Sequence, residues 1–127
     1  MKKIILILFS IVFLNTAFAQ EEPYLMQMHY IEVDGNIDAF IKLNKEYYKK
    51  LAQLAVEDGK WDGWQMWQSR TNDNQFVFFH HFKNPKQYEE WDWDWGSKEN
   101  IKRAGVKMPE DSDFKMIGGS MEVFQII

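Results

Sequence analysis

The spacing of apolar residues along the chain changes in a definite order, and this order predicts the fold. From Tyr24 to Val33 side chains alternate with a period of two, which is typical of a β-strand. From Ile37 to Glu57 apolar residues recur every three or four positions, as on one side of an α-helix. Two further strand-like runs between Trp64 and Phe82 are joined by polar turn residues, so this segment predicts a hairpin.

A second helix and a last strand complete the pattern. The remaining elements are expected at Pro85 to Trp95 (helix), Ser97 to Ala104 (short helix), 106 to 116 (loop) and Ser120 to Ile127 (strand). The end of the second helix stays open, because Trp91 to Trp95 also alternates like a strand. The order predicts an α+β, ferredoxin-like βαββαβ fold, in which a four-stranded antiparallel sheet carries its helices on one face.

The first 19 residues are expected to be a signal peptide. Lys2 and Lys3 precede an apolar run of 11 residues, and Ala17 and Ala19 stand where a signal peptidase reads small side chains. Eleven helical residues span about 17 Å, which is short of the roughly 30 Å core of a bilayer. We therefore expect a single domain over residues 20–127, located in the periplasm or secreted, without a membrane anchor in the mature chain.

Composition and net charge limit the kinds of partner that the chain is expected to bind. Lys2 and Lys3 leave with the signal peptide, so 13 of the 15 basic residues remain against 19 acidic ones, a net charge of −6. An acidic chain without a basic run is not expected to bind nucleic acid. The predicted strands are aromatic on both faces, while the helices can cover only one. We expect a second copy to cover the other face, which gives a homodimer.

Three histidines are the first candidates for chemistry, because His29, His80 and His81 all fall on predicted strands. Adjacent strand residues point to opposite faces, so His80 and His81 cannot both serve one site. The chain has no Cys to complete a zinc set. We therefore expect no metal and no cofactor. The histidines are interpreted as core residues, with a polar contact in a pocket or an acid/base role as the alternative.

Aromatic residues on the predicted strands are the candidates for the wall of a pocket. Together with the histidines, the candidate pocket residues are His29, Tyr30, Trp64, Trp67, Phe78, His80 and His81. A different possibility is a sugar-binding surface made by Trp91, Trp93 and Trp95, but such a flat platform requires this segment to be a strand.

The chain resembles the dimeric α+β barrel superfamily, which includes antibiotic-biosynthesis-type monooxygenases and haem-degrading monooxygenases. The likeness rests on the element order and on the segments Glu46–Lys50, Val56–Lys60 and Gly63–Trp67, and it is greatest for small exported bacterial members without an assigned activity. It implies a homodimer with a pocket between sheet and helices in each subunit. Haem-degrading relatives are expected to carry a ligand His on a helix, and the segment Pro85–Trp95 has none.

Two functions follow from these observations. The first is an exported, homodimeric binding or interaction protein that takes a small apolar or aromatic ligand in an aromatic pocket. The alternative, implied by the resemblance, is a cofactor-independent monooxygenase acting on small aromatic compounds. No motif in the chain identifies a catalytic residue.

The signal peptide makes the first testable prediction. We expect the exported protein to begin at Gln20, because the small residues at Ala17 and Ala19 place the cleavage site directly before it. Intact-mass analysis of the exported protein measures this, and a mass that includes residues 1–19 would contradict it.

Overall fold

One antiparallel sheet organises the molecule, which the computed structural model describes over residues 21–107, 110 and 113–127. The strands are β1 (Leu25–Gly35), β2 (Gly63–Gln68), β3 (Gln75–Phe82) and β4 (Phe114–Gln125). The helices are α1 (Ile37–Leu43), α2 (Lys49–Glu57), α3 (Pro85–Glu89) and α4 (Lys98–Ala104). A π-helical turn at Asn44–Tyr48 joins α1 and α2 into one long helix, and a 3₁₀ turn spans Trp93–Gly96. The predicted signal peptide lies outside the described residues.

The sheet has the strand order β2-β3-β1-β4, and all neighbouring strands are antiparallel. The helices pack on one of its faces, which confirms the predicted ferredoxin-like α+β fold. Most side chains of β1 and β3 that face the helices are buried, and they make up half of the buried residues that the structure describes; they are Leu25, Gln27, Ile31, Val33, Phe76, Phe78, His80 and Phe82. None of the described helices combines the length and apolar character needed to span a membrane.

The long helix has the bounds that the sequence predicts. The side-chain oxygen of Asn36 accepts the backbone N–H of Ala39 at 3.0 Å, and this N-cap fixes the start of the helix. Gly59 follows the helix with a φ of +72°, a left-handed conformation that favours glycine after a helix C-terminus. The π-helical turn between α1 and α2 was not predicted, and it rotates the residues that follow it relative to an uninterrupted α-helix.

The second helix is shorter than predicted. Instead of reaching Trp95, α3 ends at Glu89. The rings of Trp91 and Trp95 lie 4.6 and 5.7 Å from the ring of Trp61. These large rings gain apolar and ring contacts with Trp61, and the backbone leaves the helix between Glu89 and the 3₁₀ turn that begins at Trp93. The contacts also turn both indoles inward, away from a flat sugar-binding platform. The short helix expected from Ser97 to Ala104 is present as α4, with Ser97 as its N-cap.

The last strand begins earlier than predicted. It starts at Phe114 instead of Ser120, so the expected loop over 106–116 is wrong at its end. Gly118 and Gly119, a pair of residues typical of a turn, pair instead with Glu32 and Ile31 inside the sheet. A Cβ added to Gly119 would lie 2.9 Å from the carbonyl oxygen of Tyr30, so glycine is required there by the close approach of β1.

β4 is the least covered part of the sheet. Its large apolar side chains, together with that of Ile126, are 39% to 65% exposed; they are Met116, Ile117, Met121, Val123, Phe124 and Ile126. Trp67 on β2 is also exposed, and it points to the sheet face opposite the helices. Phe124 points to that same face, whereas Met121 and Val123 lie on the helix side of β4. Apolar side chains exposed to this extent along an edge strand mark an interaction surface.

We propose that a second copy of the chain covers this surface, which stable dimers do by burying about 800 Å² per partner. Phe124→Asp should weaken the dimer at least tenfold, because it places a charge in the apolar contact. Asn72→Asp, the same change in charge in the exposed β2–β3 turn, is the control. Sedimentation equilibrium at micromolar concentration measures both, and a monomeric wild-type protein would contradict the proposal.

Candidate ligand cavity

A cavity of about 240 Å³ lies between the sheet and the long helix. Most of its wall is apolar or aromatic: Ile31, Phe40, Ala52, Trp61, Trp64, Phe78, Trp95 and Met116. Its polar lining residues are His29, Asn44, Tyr48 and His80. A mostly apolar wall with a few polar side chains is the usual composition of a small-molecule site.

Four of the seven sequence-predicted candidates line this cavity: His29, Trp64, Phe78 and His80. His80 lies directly opposite Gln27 in the β1–β3 ladder, so His29 is its diagonal neighbour on the same face. The other three, Tyr30, Trp67 and His81, point to the opposite face of the sheet. A role for any of the seven in binding stays a prediction.

His80 is the most enclosed titratable residue of the cavity. It is 8% exposed, and its ring centre lies 4.4 Å from that of Trp61. Burial, with smaller contributions from His29 and His81, lowers the pKa of His80 to about 4. Burial also lowers the pKa of His29 and raises the pKa of Tyr48. The cavity therefore presents a neutral imidazole at physiological pH.

Asn44 is a cavity residue that the sequence interpretation missed. It is 1% exposed, and its side-chain Nδ2 donates to the carbonyl oxygen of Phe40 at 2.8 Å. A carbonyl oxygen can only accept, so this bond fixes the side-chain amide with Oδ1 as the remaining acceptor. The sequence did contain a signal: Asn44 follows Phe40 by four positions and Ile41 by three, so it interrupts the apolar side of the helix.

Three buried polar atoms around the cavity have no hydrogen-bond partner among the described residues. They are Asn44 Oδ1, Trp61 Nε1 and His80 Nδ1. Leaving one such atom unpaired costs about 1–3 kcal/mol, and native proteins contain few of them. All three belong to residues that line the cavity, so they are polar atoms of its wall that lack a partner among the described residues.

The described side chains at the cavity do not form a metal-binding set. Within residues 21–107, 110 and 113–127 there is no group of three or more His, Cys, Asp or Glu side chains that could hold a metal ion. His29 and His80 are the two imidazoles of the cavity, and two ligands leave a tetrahedral ion half open.

Comparisons with known proteins show the fold and do not identify a family. No family model and no curated protein matches the chain. A crystal structure of SnoaB, a cofactor-independent oxygenase from Streptomyces nogalater, has a TM-score of 0.50 and 11% identity, and the match covers 83% of this chain and 94% of that one. A conserved protein of unknown function from Bacteroides thetaiotaomicron, described as a possible oxidoreductase, has the same TM-score and identity. That match covers 83% of this chain and 99% of the other. The resemblance to monooxygenase-like α+β proteins is thus confirmed for the fold.

The buried His80 makes stability depend on pH. Below its ordinary pKa of 6.5 the imidazole takes up a proton in the unfolded chain, but in the folded protein it does so only near pH 4. Acidification over this window should therefore lower the free energy of unfolding by about 3 kcal/mol through His80 alone, with no further loss below pH 4.

Chemical denaturation at pH 7.5 and pH 4 measures this loss. His80→Gln should lose less stability between the two pH values than the wild-type protein. His81→Gln, on the opposite face of the same strand, is the control. Because His81 makes the smallest contribution to the lowered pKa of His80, this variant should lose nearly as much stability as the wild type. Equal losses in all three proteins would show that His80 is not buried as a neutral ring.

Proposed function

We propose that the protein binds a small aromatic molecule that carries a hydrogen-bonding group, in the cavity between the sheet and the long helix. The observation that supports this most directly is the set of three unpartnered polar atoms on Asn44, Trp61 and His80, within an aromatic wall. A core that served packing alone would gain stability from apolar residues at these positions. A ligand that supplies the missing hydrogen bonds removes the cost and stabilises the folded state.

The volume of the cavity limits the ligand. At about 240 Å³ it lies below the range of roughly 300–1,000 Å³ that is usual for drug-sized ligands. We therefore infer a ligand body of one or two rings. The indoles of Trp61, Trp64 and Trp95 offer edges and faces for offset or edge-to-face contacts with such rings.

The hydrogen-bonding atoms of the cavity wall indicate which functional group the ligand carries. Trp61 Nε1 is a donor and Asn44 Oδ1 is an acceptor, so the ligand needs both an acceptor and a donor. A hydroxyl group supplies both. These protein atoms are enclosed in the present arrangement, so binding requires a small rotation of the ring or amide that carries each one. A phenol or naphthol fits this description.

A second candidate function is cofactor-independent oxygenation of such a phenol. It is favoured by the neutral imidazole of His80, which can accept a hydrogen bond from a phenolic hydroxyl, and by a fold shared with an oxygenase of this type. For 1-naphthol the reaction with O₂ would give 1,4-naphthoquinone and water: one oxygen atom is inserted at ring carbon 4, and the other leaves as water. Oxygen uptake that requires the protein, at one O₂ per quinone formed, would establish this function.

We also propose that binding takes place outside the cytoplasm. The support is the N-terminal sequence alone, with its basic start, short apolar run and small residues before Gln20.

Blocking the cavity should abolish binding. Met116 lies in the cavity wall yet is largely exposed, so Met116→Trp adds bulk there without disturbing the core. We expect 1-naphthol to bind the wild-type protein at one site and to bind this variant at least tenfold more weakly, as measured by isothermal titration calorimetry. Met121→Trp is the matched control, because Met121 is similarly exposed on the same strand and does not line the cavity. No binding of 1-naphthol to the wild type, or equal binding to both variants, would contradict the proposed site.

A further inference from the structure

An open groove of about 650 Å³ adjoins the cavity, between α2 and β2, the strand at the edge of the sheet. Asn44, Ala52 and Trp64 line both the groove and the cavity, so the two spaces meet at these three residues. A ligand whose ring occupies the cavity can therefore extend a substituent past Trp64 into the groove.

The groove carries positive charge only. Its charged lining residues are Lys45 and Lys49, and the rest of its wall is neutral. The two ion pairs found within the described ranges, Lys86 with Glu90 and Arg103 with Asp58, involve neither lysine. The chain as a whole is acidic, with a net charge of −4, so this local cationic pair runs against its general charge.

The two lysines of the groove also lie close together on the long helix. Lys45 and Lys49 are four residues apart on the long helix, so they are neighbours on its surface. Like charges at this spacing repel and destabilise a helix slightly. An anionic group bound in the groove would relieve the repulsion and gain two favourable contacts.

We infer that the ligand is a small aromatic carboxylate, with its ring in the cavity and its carboxylate between Lys45 and Lys49. This inference rests on the proposed function, because it requires the ring to occupy the cavity. It adds the charge of the ligand and names the two residues that select it. The neutral residues of the inner cavity suit the ring and any hydroxyl, while the charge remains in the solvated groove.

A pair of ligands of nearly equal shape tests the inference. 1-Naphthylacetate carries a carboxylate where 1-naphthylacetamide carries a neutral amide. Exposed ion pairs are individually weak, so we expect the wild-type protein to bind the carboxylate about three- to tenfold more tightly than the amide. The preference should fall as salt is raised from about 20 mM to about 500 mM, because exposed charges are screened. Isothermal titration calorimetry measures both affinities.

Two double variants identify the source of the preference. Lys45→Gln with Lys49→Gln should bind the two ligands equally while keeping the affinity for the amide. Lys42→Gln with Lys50→Gln removes the same charge from exposed positions of the long helix that do not line the groove, and it should keep the preference.

The outcomes separate this inference from the proposed function. If neither naphthyl ligand nor 1-naphthol binds the wild-type protein, the proposed cavity function fails. If both naphthyl ligands bind with equal affinity, cavity binding stands and the inference about charge is overturned. A carboxylate preference that survives loss of Lys45 and Lys49 also overturns it.

Discussion

One ring contact connects the elements that form the cavity. The buried imidazole of His80 packs against the indole of Trp61, with ring centres 4.4 Å apart. His80 belongs to β3 in the interior of the sheet, and Trp61 lies on the segment between α2 and β2. Trp91 and Trp95 pack on the other sides of Trp61 and draw in the chain that follows α3. An imidazole so enclosed has to be neutral, since a charged ring would lose its hydration without gaining an anion.

The long helix closes the same space from the other side. Its π-helical turn begins at Asn44, whose amide is fixed by the carbonyl of Phe40, and ends at Tyr48. Both residues line the cavity, so the irregular turn coincides with the point where the helix meets it. Turns of this kind occur often at functional sites, since the helix gives up regular hydrogen bonds there in order to present different side chains. The polar atoms left unpaired on Asn44, Trp61 and His80 are a second cost of the arrangement, which the proposed ligand would offset.

Much of the fold was predictable because periodicity is local. The apolar spacing between Ile37 and Glu57 defined the long helix, and alternation defined β1 and the hairpin. The errors arose where distant contacts decide the structure. The expected loop over 106–116 and the late start of the last strand are such errors, because pairing with β1 extends β4 back to Phe114. The site was predictable in part: strand alternation placed His80 and His81 on opposite faces, while the position of His29 on the same face as His80 follows from the β1–β3 register. Asn44 and Trp61 gain significance only from the unpaired atoms around the cavity.

The state of the His80 ring tests the central claim most directly. In protein labelled with ¹⁵N at histidine, the ring-nitrogen shifts can be followed by NMR during titration with acid and with 1-naphthol. We predict a neutral His80 down to about pH 4, with a clear change in its ring-nitrogen shifts when 1-naphthol binds and a smaller change at His81 on the opposite face. A His80 that is protonated by pH 6, or whose shifts do not respond to saturating ligand, would contradict it.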